Sequence, residues 1–121
     1  MAKVLIIEDN AANMTLATFL LQSAGHSVLS ATSAETGLTL ARGEQPDLVL
    51  MDIQLPGMDG LQLTRHLRRD PSLNGVPIVA FTASAIKGDE EFARASGCDG
   101  YVTKPINTRT LANVVRGYLH Q

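Results

Sequence analysis

Residues 48–52 read Leu48-Val49-Leu50-Met51-Asp52, an apolar run of four that stops at a carboxylate. Apolar runs of this length, rich in branched side chains, are typical of strands buried on both faces of a parallel sheet. In open parallel sheets, ligands bind beyond the carboxyl ends of such strands. Asp52 is therefore expected at an edge of the sheet where binding sites form.

Three further apolar runs also stop at polar residues. They are residues 4–7 before Glu8 and Asp9, residues 78–81 before Thr82, and residues 101–103 before Lys104. Because the carboxyl ends of parallel strands share one edge, the carboxylates, the hydroxyl and the ammonium should converge there. This combination suits a divalent cation together with a phosphoryl group, since hard oxygens hold the metal while cationic and hydroxyl donors hold the anion.

Segments with helical periodicity separate the apolar runs from one end of the chain to the other. The alternation predicts five βα units, which is an α/β fold with a doubly wound parallel sheet. Crossovers between parallel strands are right-handed, so helices can cover both faces only if the winding reverses once. The strands that flank the reversal should open a cleft.

Capping and helix-breaking residues mark the expected ends of the elements. The first helix should begin after Asn10, bury a stripe that ends at Ala24, and stop at Gly25. The other expected elements are a strand from Val28 to Ala31, a helix after the cap Ser33 that ends at Gly43, a helix from about Gly60 to Arg69, a strand from Val76 to Phe81, a helix from about Ile86 to Gly97, a strand from Gly100 to Thr103 and a helix capped near Asn107.

The length and composition are typical of one globular domain. At 121 residues the chain is expected to form a single domain, residues 1–121, with no separate output domain. No apolar stretch approaches the roughly 20 residues that a membrane span requires. Met1 is followed almost directly by the first strand, which leaves no room for a signal peptide, so a cytoplasmic protein is expected.

The charge argues against nucleic-acid binding, and the cysteine content excludes an internal disulfide. The net charge is -2 without a basic run, so the electrostatic footprint of a nucleic-acid-binding protein is missing. The single cysteine, Cys98, cannot form an internal disulfide, which fits a reducing compartment. We expect Cys98 to be a passive packing residue.

Four separated elements, in the same order and context, make the chain from Lys3 to Leu119 resemble the receiver domain of bacterial two-component response regulators. They are Glu8-Asp9, Met51-Asp52-Ile53-Gln54-Leu55-Pro56-Gly57-Met58-Asp59-Gly60, Thr82-Ala83 and Lys104-Pro105. The stretches Glu8 to Met14 and Thr82 to Glu90 are most similar to single-domain or hybrid-kinase receivers. The resemblance implies a flavodoxin-like (βα)5 fold with strand order 2-1-3-4-5.

The resemblance also implies the chemistry of the site. Asp52 would be the nucleophile that takes a phosphoryl group from a phosphohistidine of a histidine kinase or a histidine phosphotransfer protein. Mg²⁺ would be held by Glu8 through water, by Asp9 and Asp52, and by the backbone carbonyl of Gln54. Lys104 and Thr82 would contact the phosphoryl oxygens.

Further residues would transmit the signal. Thr82 and Tyr101 are the implied switch pair, which would change the surface read by a downstream protein target. The expected partner face consists of Asn13, Met14, Ile86, Val102, Pro105 and Ile106. Gly57 and Gly60, together with Pro56, are expected to have only a structural role, in forming a tight loop.

Two other functions are compatible with an α/β protein of this size. A flavodoxin-type electron carrier would share the fold, but two acidic residues after the first strand would repel a flavin phosphate, and the chain has no Trp to stack on the ring. A small phosphohydrolase could use Asp52 as its nucleophile and would turn over a phosphomonoester many times. A receiver would be labelled about once per molecule.

Overall fold

Strands and helices alternate in the computed structural model, which describes residues 2–53, 55, 60–73, 75–82, 89–103 and 108–119, with only the backbone described at residues 82, 89, 90 and 92. The strands are β1 (Lys3–Ile7), β2 (Ser27–Ala31), β3 (Leu48–Asp52), β4 (Ile78–Thr82) and β5 (Gly100–Thr103). The α-helices are α1 (Ala11–Ser23), α2 (Ala34–Glu44), α3 (Gly60–Arg69), α4 (Asp89–Ala95) and α5 (Leu111–Leu119). No helix in these described ranges is both long and apolar enough to cross a membrane.

The strands form one parallel sheet in the order β2-β1-β3-β4-β5, which confirms the predicted fold class. The chain passes from β1 to β2 on one side and then returns to place β3 on the other side of β1. The winding therefore reverses between β1 and β3. The cleft predicted for that reversal would lie beyond the carboxyl ends of these two strands.

Side chains of the central strands alternate between two cores, one on each face of the sheet. Val4, Ile6, Leu48 and Leu50 belong to the core shared with α1 and α5. Their neighbours Leu5, Ile7, Val49 and Met51 belong to the core shared with α2 and α3. Because both faces are covered, β1 and β3 read as continuous apolar runs rather than as alternating ones.

The predicted caps start the first two helices. Asn10 Oδ1 accepts a hydrogen bond from the backbone N–H of Asn13 at 2.9 Å, and Ser33 Oγ accepts one from Thr36 N–H at 3.2 Å. Each bond satisfies an N–H group that the helix itself leaves without a partner. The predicted bounds of the third helix, Gly60 to Arg69, are also confirmed.

Two helix ends differ from the predictions. Ala24 was expected to be buried, but α1 ends at Ser23 and Ala24 is an exposed cap residue in the turn before Gly25, whose φ is +93°. The second helix was expected to end at Gly43 but extends to Glu44, and Gln45 takes the left-handed conformation with φ of +50°. The Gln45 side-chain amide donates to the carbonyl of Arg42 and to Ser72 Oγ, and these bonds offset the unfavourable backbone conformation.

The strand predicted from Val76 begins at Ile78. Pro77 has no N–H for the sheet, although its carbonyl accepts a hydrogen bond from Val49 N–H at 2.9 Å. Val76 is held in the preceding turn by a bond from its N–H to Leu73 O.

The last two helices are shorter than predicted within the described ranges. The fourth helix is described from Asp89 to Ala95 and therefore ends before Gly97, the predicted end, which has a φ of +114°. Ile86, its predicted start, lies outside the described residues. The last helix begins at Leu111 after a turn at residues 108–110, and the predicted cap Asn107 is also outside the described residues.

The two-sided core predicts unequal effects of removing two large apolar side chains. Leu50 is 0% exposed in the central strand, whereas Phe19 is 64% exposed on α1. Leu50→Ala should lower the free energy of unfolding by about 2–5 kcal/mol, because it leaves a cavity between sheet and helices. Phe19→Ala removes more atoms and should change that free energy by no more than about 0.5 kcal/mol. Urea unfolding measures both, and equal losses would contradict this placement of the core.

Candidate functional site

The strand register brings together three carboxylates. Ile7 of β1 pairs with Met51 of β3, so Glu8 and Asp52 follow at the same level of the sheet. One carboxylate oxygen each from Glu8, Asp9 and Asp52 lie within 4.8 Å of one another. The structure therefore places these three predicted metal ligands in a single cluster at the carboxyl edge of the sheet.

Burial makes this cluster electrostatically unfavourable without a counter-charge. Glu8 is 1% exposed and Asp52 is 4% exposed, while Asp9 is exposed. Two unit charges about 4 Å apart repel by roughly 4 kcal/mol at an effective dielectric constant of 20. Buried charges are usually paired or bound to a metal, and hard carboxylate oxygens suit Mg²⁺, Mn²⁺ or Ca²⁺. The donor set therefore fits a hard divalent cation.

The chain between β1 and α1 holds Glu8 in place. The backbone N–H of Glu8 donates to Ala31 O at 2.9 Å, and the backbone N–H of Asn10 donates to Glu8 Oε2 at 3.3 Å. Asn10 thus caps the helix with its side chain and orients an acidic residue of the cluster with its backbone. The cap is visible in the sequence, but the bond to Glu8 depends on the path of the connecting loop and has no local signal.

The neighbouring strands reach the same edge. Asp52 pairs with Phe81, so the backbone of Thr82 lies one residue beyond Asp52 on the adjacent strand. Thr82 in turn pairs with Thr103, the residue before Lys104. Lys104 and Gln54 lie outside the described residues, as does the side chain of Thr82, so their roles stay predictions.

Tyr101, the second predicted switch residue, is half-buried. It pairs with Ala80 on the adjacent strand and packs against the core shared by α2 and α3.

The predicted partner face is only partly described. Asn13 and Met14 are half-buried on α1, and Val102 is half-buried on β5. Ile86, Pro105 and Ile106 lie outside the described residues.

Sequence reasoning missed an apolar surface that continues from the face on α1. Phe19 is exposed, and Ala12, Thr15 and Leu16 line a shallow depression with it. The signal for this surface was available, because α1 contains no charged residue.

Cys98 lies away from the cluster, as expected for a packing residue. It is buried, and burial raises the pKa of its thiol, which keeps the thiol protonated and poorly nucleophilic. Its sulfur lies 3.6 Å from Thr64 Oγ1.

Comparison with known proteins identifies the family. The family profile of the response regulator receiver domain matches residues 4–116. The polar-differentiation response regulator DivK of Brucella ovis is 43% identical over 116 residues, which cover 96% of this chain and 94% of that protein.

Solved structures of receiver domains and response regulators are similar to this chain. The receiver domain of the Pseudomonas aeruginosa sensor histidine kinase PA1611, which has a magnesium ion coordinated in its active site cleft, is 31% identical with a TM-score of 0.92, and the match covers 99% of this chain and 98% of that one. The chemotaxis response regulator CheY4 of Vibrio cholerae is 26% identical with a TM-score of 0.93, and the match covers 98% of both chains. The fold, the carboxylate cluster and the family profile lead to the same conclusion: the chain belongs to the response regulator receiver domain family.

Proposed function

We propose that this receiver domain accepts a phosphoryl group on Asp52 from a phosphohistidine of a histidine kinase or a histidine phosphotransfer protein, in a reaction that requires Mg²⁺. The observation that carries the proposal is the cluster of Glu8, Asp9 and Asp52 at the carboxyl edge of the sheet. Family membership supports the reaction class, and the magnesium ion in the PA1611 receiver supports the choice of metal.

The proposed reaction is a transfer between a nitrogen and an oxygen. A carboxylate oxygen of Asp52 forms a bond to phosphorus while the phosphorus–nitrogen bond of phosphohistidine breaks, and the bonding electron pair returns to the imidazole, which takes a proton from water. The product is an aspartyl phosphate. When bound, Mg²⁺ supplies positive charge that offsets the carboxylates and the phosphoryl oxygens.

The residues of the chain have separate tasks in this proposal. Asp9 and Asp52 would ligate the metal directly, Glu8 would act through water, and the backbone carbonyl of Gln54 would be a further ligand. The near-complete burial of Asp52 lowers the effective dielectric constant around it and so strengthens electrostatic interactions at its carboxylate. Lys104 would neutralise charge on the phosphoryl oxygens, and Thr82 would donate a hydrogen bond to one of them.

The phosphoryl group would then alter the face that includes Tyr101 and Val102. A shift between two conformations from 1:99 to 99:1 requires about 5.5 kcal/mol of differential stabilisation, more than one ordinary hydrogen bond provides. We therefore assign the switch to several contacts acting together, with Thr82 and Tyr101 as the coupled pair. The altered face would bind a downstream protein target, and we propose that the receiver domain acts in the cytoplasm.

The two alternative functions fit the site less well. A flavin phosphate would have to approach buried Glu8 and Asp52, both negatively charged, at the site where a flavodoxin-type carrier binds its cofactor. A phosphohydrolase would release many phosphates per molecule. The same experiment that identifies the phosphorylated residue separates these functions.

Asp52 should be phosphorylated once per molecule. Acetyl phosphate with Mg²⁺ should add one phosphoryl group by intact-mass spectrometry, and Asp52→Asn should add none, because asparagine lacks the nucleophilic oxygen. The matched control Asp47→Asn, just before the start of the same strand, should label like the parent protein. Labelling that persists in Asp52→Asn, or continuous release of many phosphates per molecule, would contradict the proposal.

Mg²⁺ should raise the melting temperature, since it binds the native cluster and not the unfolded chain. At a concentration of about 100 times the Kd the added stability is about 2.7 kcal/mol. Asp9→Asn should abolish most of this increase, whereas Glu35→Gln, an exposed acidic residue on α2, should preserve it. Thermal unfolding monitored by circular dichroism at several Mg²⁺ concentrations measures the effect. An unchanged Mg²⁺ response in Asp9→Asn would exclude Asp9 as a ligand.

Thr82→Val should uncouple phosphorylation from the signalling face. Valine keeps the shape of threonine but lacks the donor, so Mg²⁺ binding should persist while the amide shifts induced by beryllofluoride at Tyr101 and Val102 should shrink. Thr103→Val removes a hydroxyl at the same level of the adjacent strand and should leave those shifts intact. Shifts as large in Thr82→Val as in the parent protein would show that another residue carries the coupling.

A further inference from the structure

Gly60, the first residue of α3, packs directly against the peptide that joins Asp52 to Ile53. A Cβ atom added to Gly60 would lie 2.5 Å from Ile53 Cα and 2.7 Å from the carbonyl oxygen of Asp52. Non-bonded carbon atoms prefer separations of about 3.5–4.0 Å. Both obstructing atoms belong to the backbone, so no side-chain rotation relieves the overlap.

A hydrogen bond ties the same two segments together. The backbone N–H of Gly60 donates to Ile53 O at 3.1 Å. This N–H is among the first of α3 and has no acceptor within its own helix, so the bond satisfies it. The start of α3 is thus in contact with the chain segment that leaves Asp52 and hydrogen-bonded to it.

Space, rather than backbone conformation, requires glycine at this position. Gly25 and Gly97 are the glycines with positive φ in the described part of the chain, and Gly60 is not among them. The tight loop expected from the sequence therefore does not account for Gly60, since alanine could adopt its φ and would favour the helix.

The middle of α3 is held in place by buried side chains and by a hydrogen bond within the helix. Leu63 is fully buried and Leu67 nearly so, and Thr64 Oγ1 donates to Gly60 O at 2.8 Å within the helix. Thr64 Oγ1 also contacts Met51 Sδ at 3.7 Å, one residue before Asp52. Because the middle of α3 is held in this way, a side chain at position 60 would push against the peptide between Asp52 and Ile53.

We propose that Gly60 is a positioning residue of the acidic site: its missing side chain lets α3 hold the Asp52–Ile53 peptide where the Asp52 carboxylate meets those of Glu8 and Asp9. The inference rests on the proposed function, because it matters only if the cluster binds a cation. Mg²⁺ demands near-ideal octahedral geometry, so a displacement of a few tenths of an ångström at one ligand weakens binding.

Gly60→Ala tests the proposal, with Gly37→Ala as the matched control. Gly37 is also a buried glycine within a helix, but a Cβ there would meet side-chain atoms, Ile7 Cδ1 at 2.5 Å and Ile7 Cγ1 at 2.9 Å, rather than backbone. Both variants add one methyl group to a crowded site. Only Gly60→Ala places that methyl group against the backbone beside Asp52.

Two measurements decide the result. In the metal-free protein, the amide resonances of Asp52 and Ile53 should shift in Gly60→Ala and not in Gly37→Ala. Calorimetric titration should then show that Gly60→Ala binds Mg²⁺ about tenfold or more weakly than the parent protein. The Mg²⁺ affinity of Gly37→Ala should equal that of the parent protein, even if both variants unfold at lower urea concentrations.

Contrary outcomes separate the two proposals. Unshifted Asp52 and Ile53 resonances, or parental Mg²⁺ affinity in Gly60→Ala, would overturn the role of Gly60. Absence of Mg²⁺ binding in the parent protein would overturn the proposed function, while the metal-free resonances would still report whether Gly60 positions the peptide.

A second variant keeps the test decisive if Gly60→Ala does not fold. Thr64→Val adds no atom and deletes the hydroxyl that contacts Gly60 O and Met51 Sδ. Thr64→Val should weaken Mg²⁺ binding measurably, but by less than the effect expected of Gly60→Ala. Parental affinity in Thr64→Val would then overturn the proposal.

Discussion

Repulsion among Glu8, Asp9 and Asp52 is the constraint on which the rest of the site depends. Parallel pairing of β1 with β3 leaves no freedom to separate Glu8 from Asp52, because both follow residues that are register partners. The burial that makes the two strands the centre of the core also removes water from the carboxylates that end them. A hard cation would resolve this conflict, and in the proposed function the same positive charge would prepare the site for a phosphoryl group.

The rest of the fold serves to keep that cluster compact. Apolar side chains on both faces of β3 prevent the strand from moving relative to its neighbours. The backbone N–H of Asn10 bonds to the Glu8 carboxylate, and that of Gly60 bonds to the carbonyl of Ile53, next to Asp52. The Glu8 carboxylate and the backbone beside Asp52 thus have contacts outside the cluster itself.

The sequence predicts the strands and the cluster well, because both depend on short-range patterns. Buried parallel strands are continuous apolar runs, and their carboxyl ends meet at one edge, so the convergence of Glu8 with Asp52 follows once the sheet is inferred. The strand order came from the family resemblance rather than from these patterns.

Element ends and close contacts were predicted less well, because they depend on residues distant in sequence. The side chain of Gln45, a residue in the left-handed conformation, bonds to Ser72 in another segment as well as to Arg42. Pro77 shortens β4 at its start, although the apolar run continues through it. Gly60 resembles a loop glycine in the sequence, and its contact with Asp52 exists only once α3 packs on the sheet.

Chemical mapping of the phosphorylated residue tests the central claim most directly. Borohydride reduces an aspartyl phosphate to homoserine, so peptide mass spectrometry after labelling with Mg²⁺ and acetyl phosphate should find homoserine at position 52 and an unmodified aspartate at position 9. Homoserine at position 9, or phosphate on a serine, threonine or histidine with position 52 unmodified, would contradict the assignment of Asp52 as the residue that the acidic cluster prepares for phosphorylation.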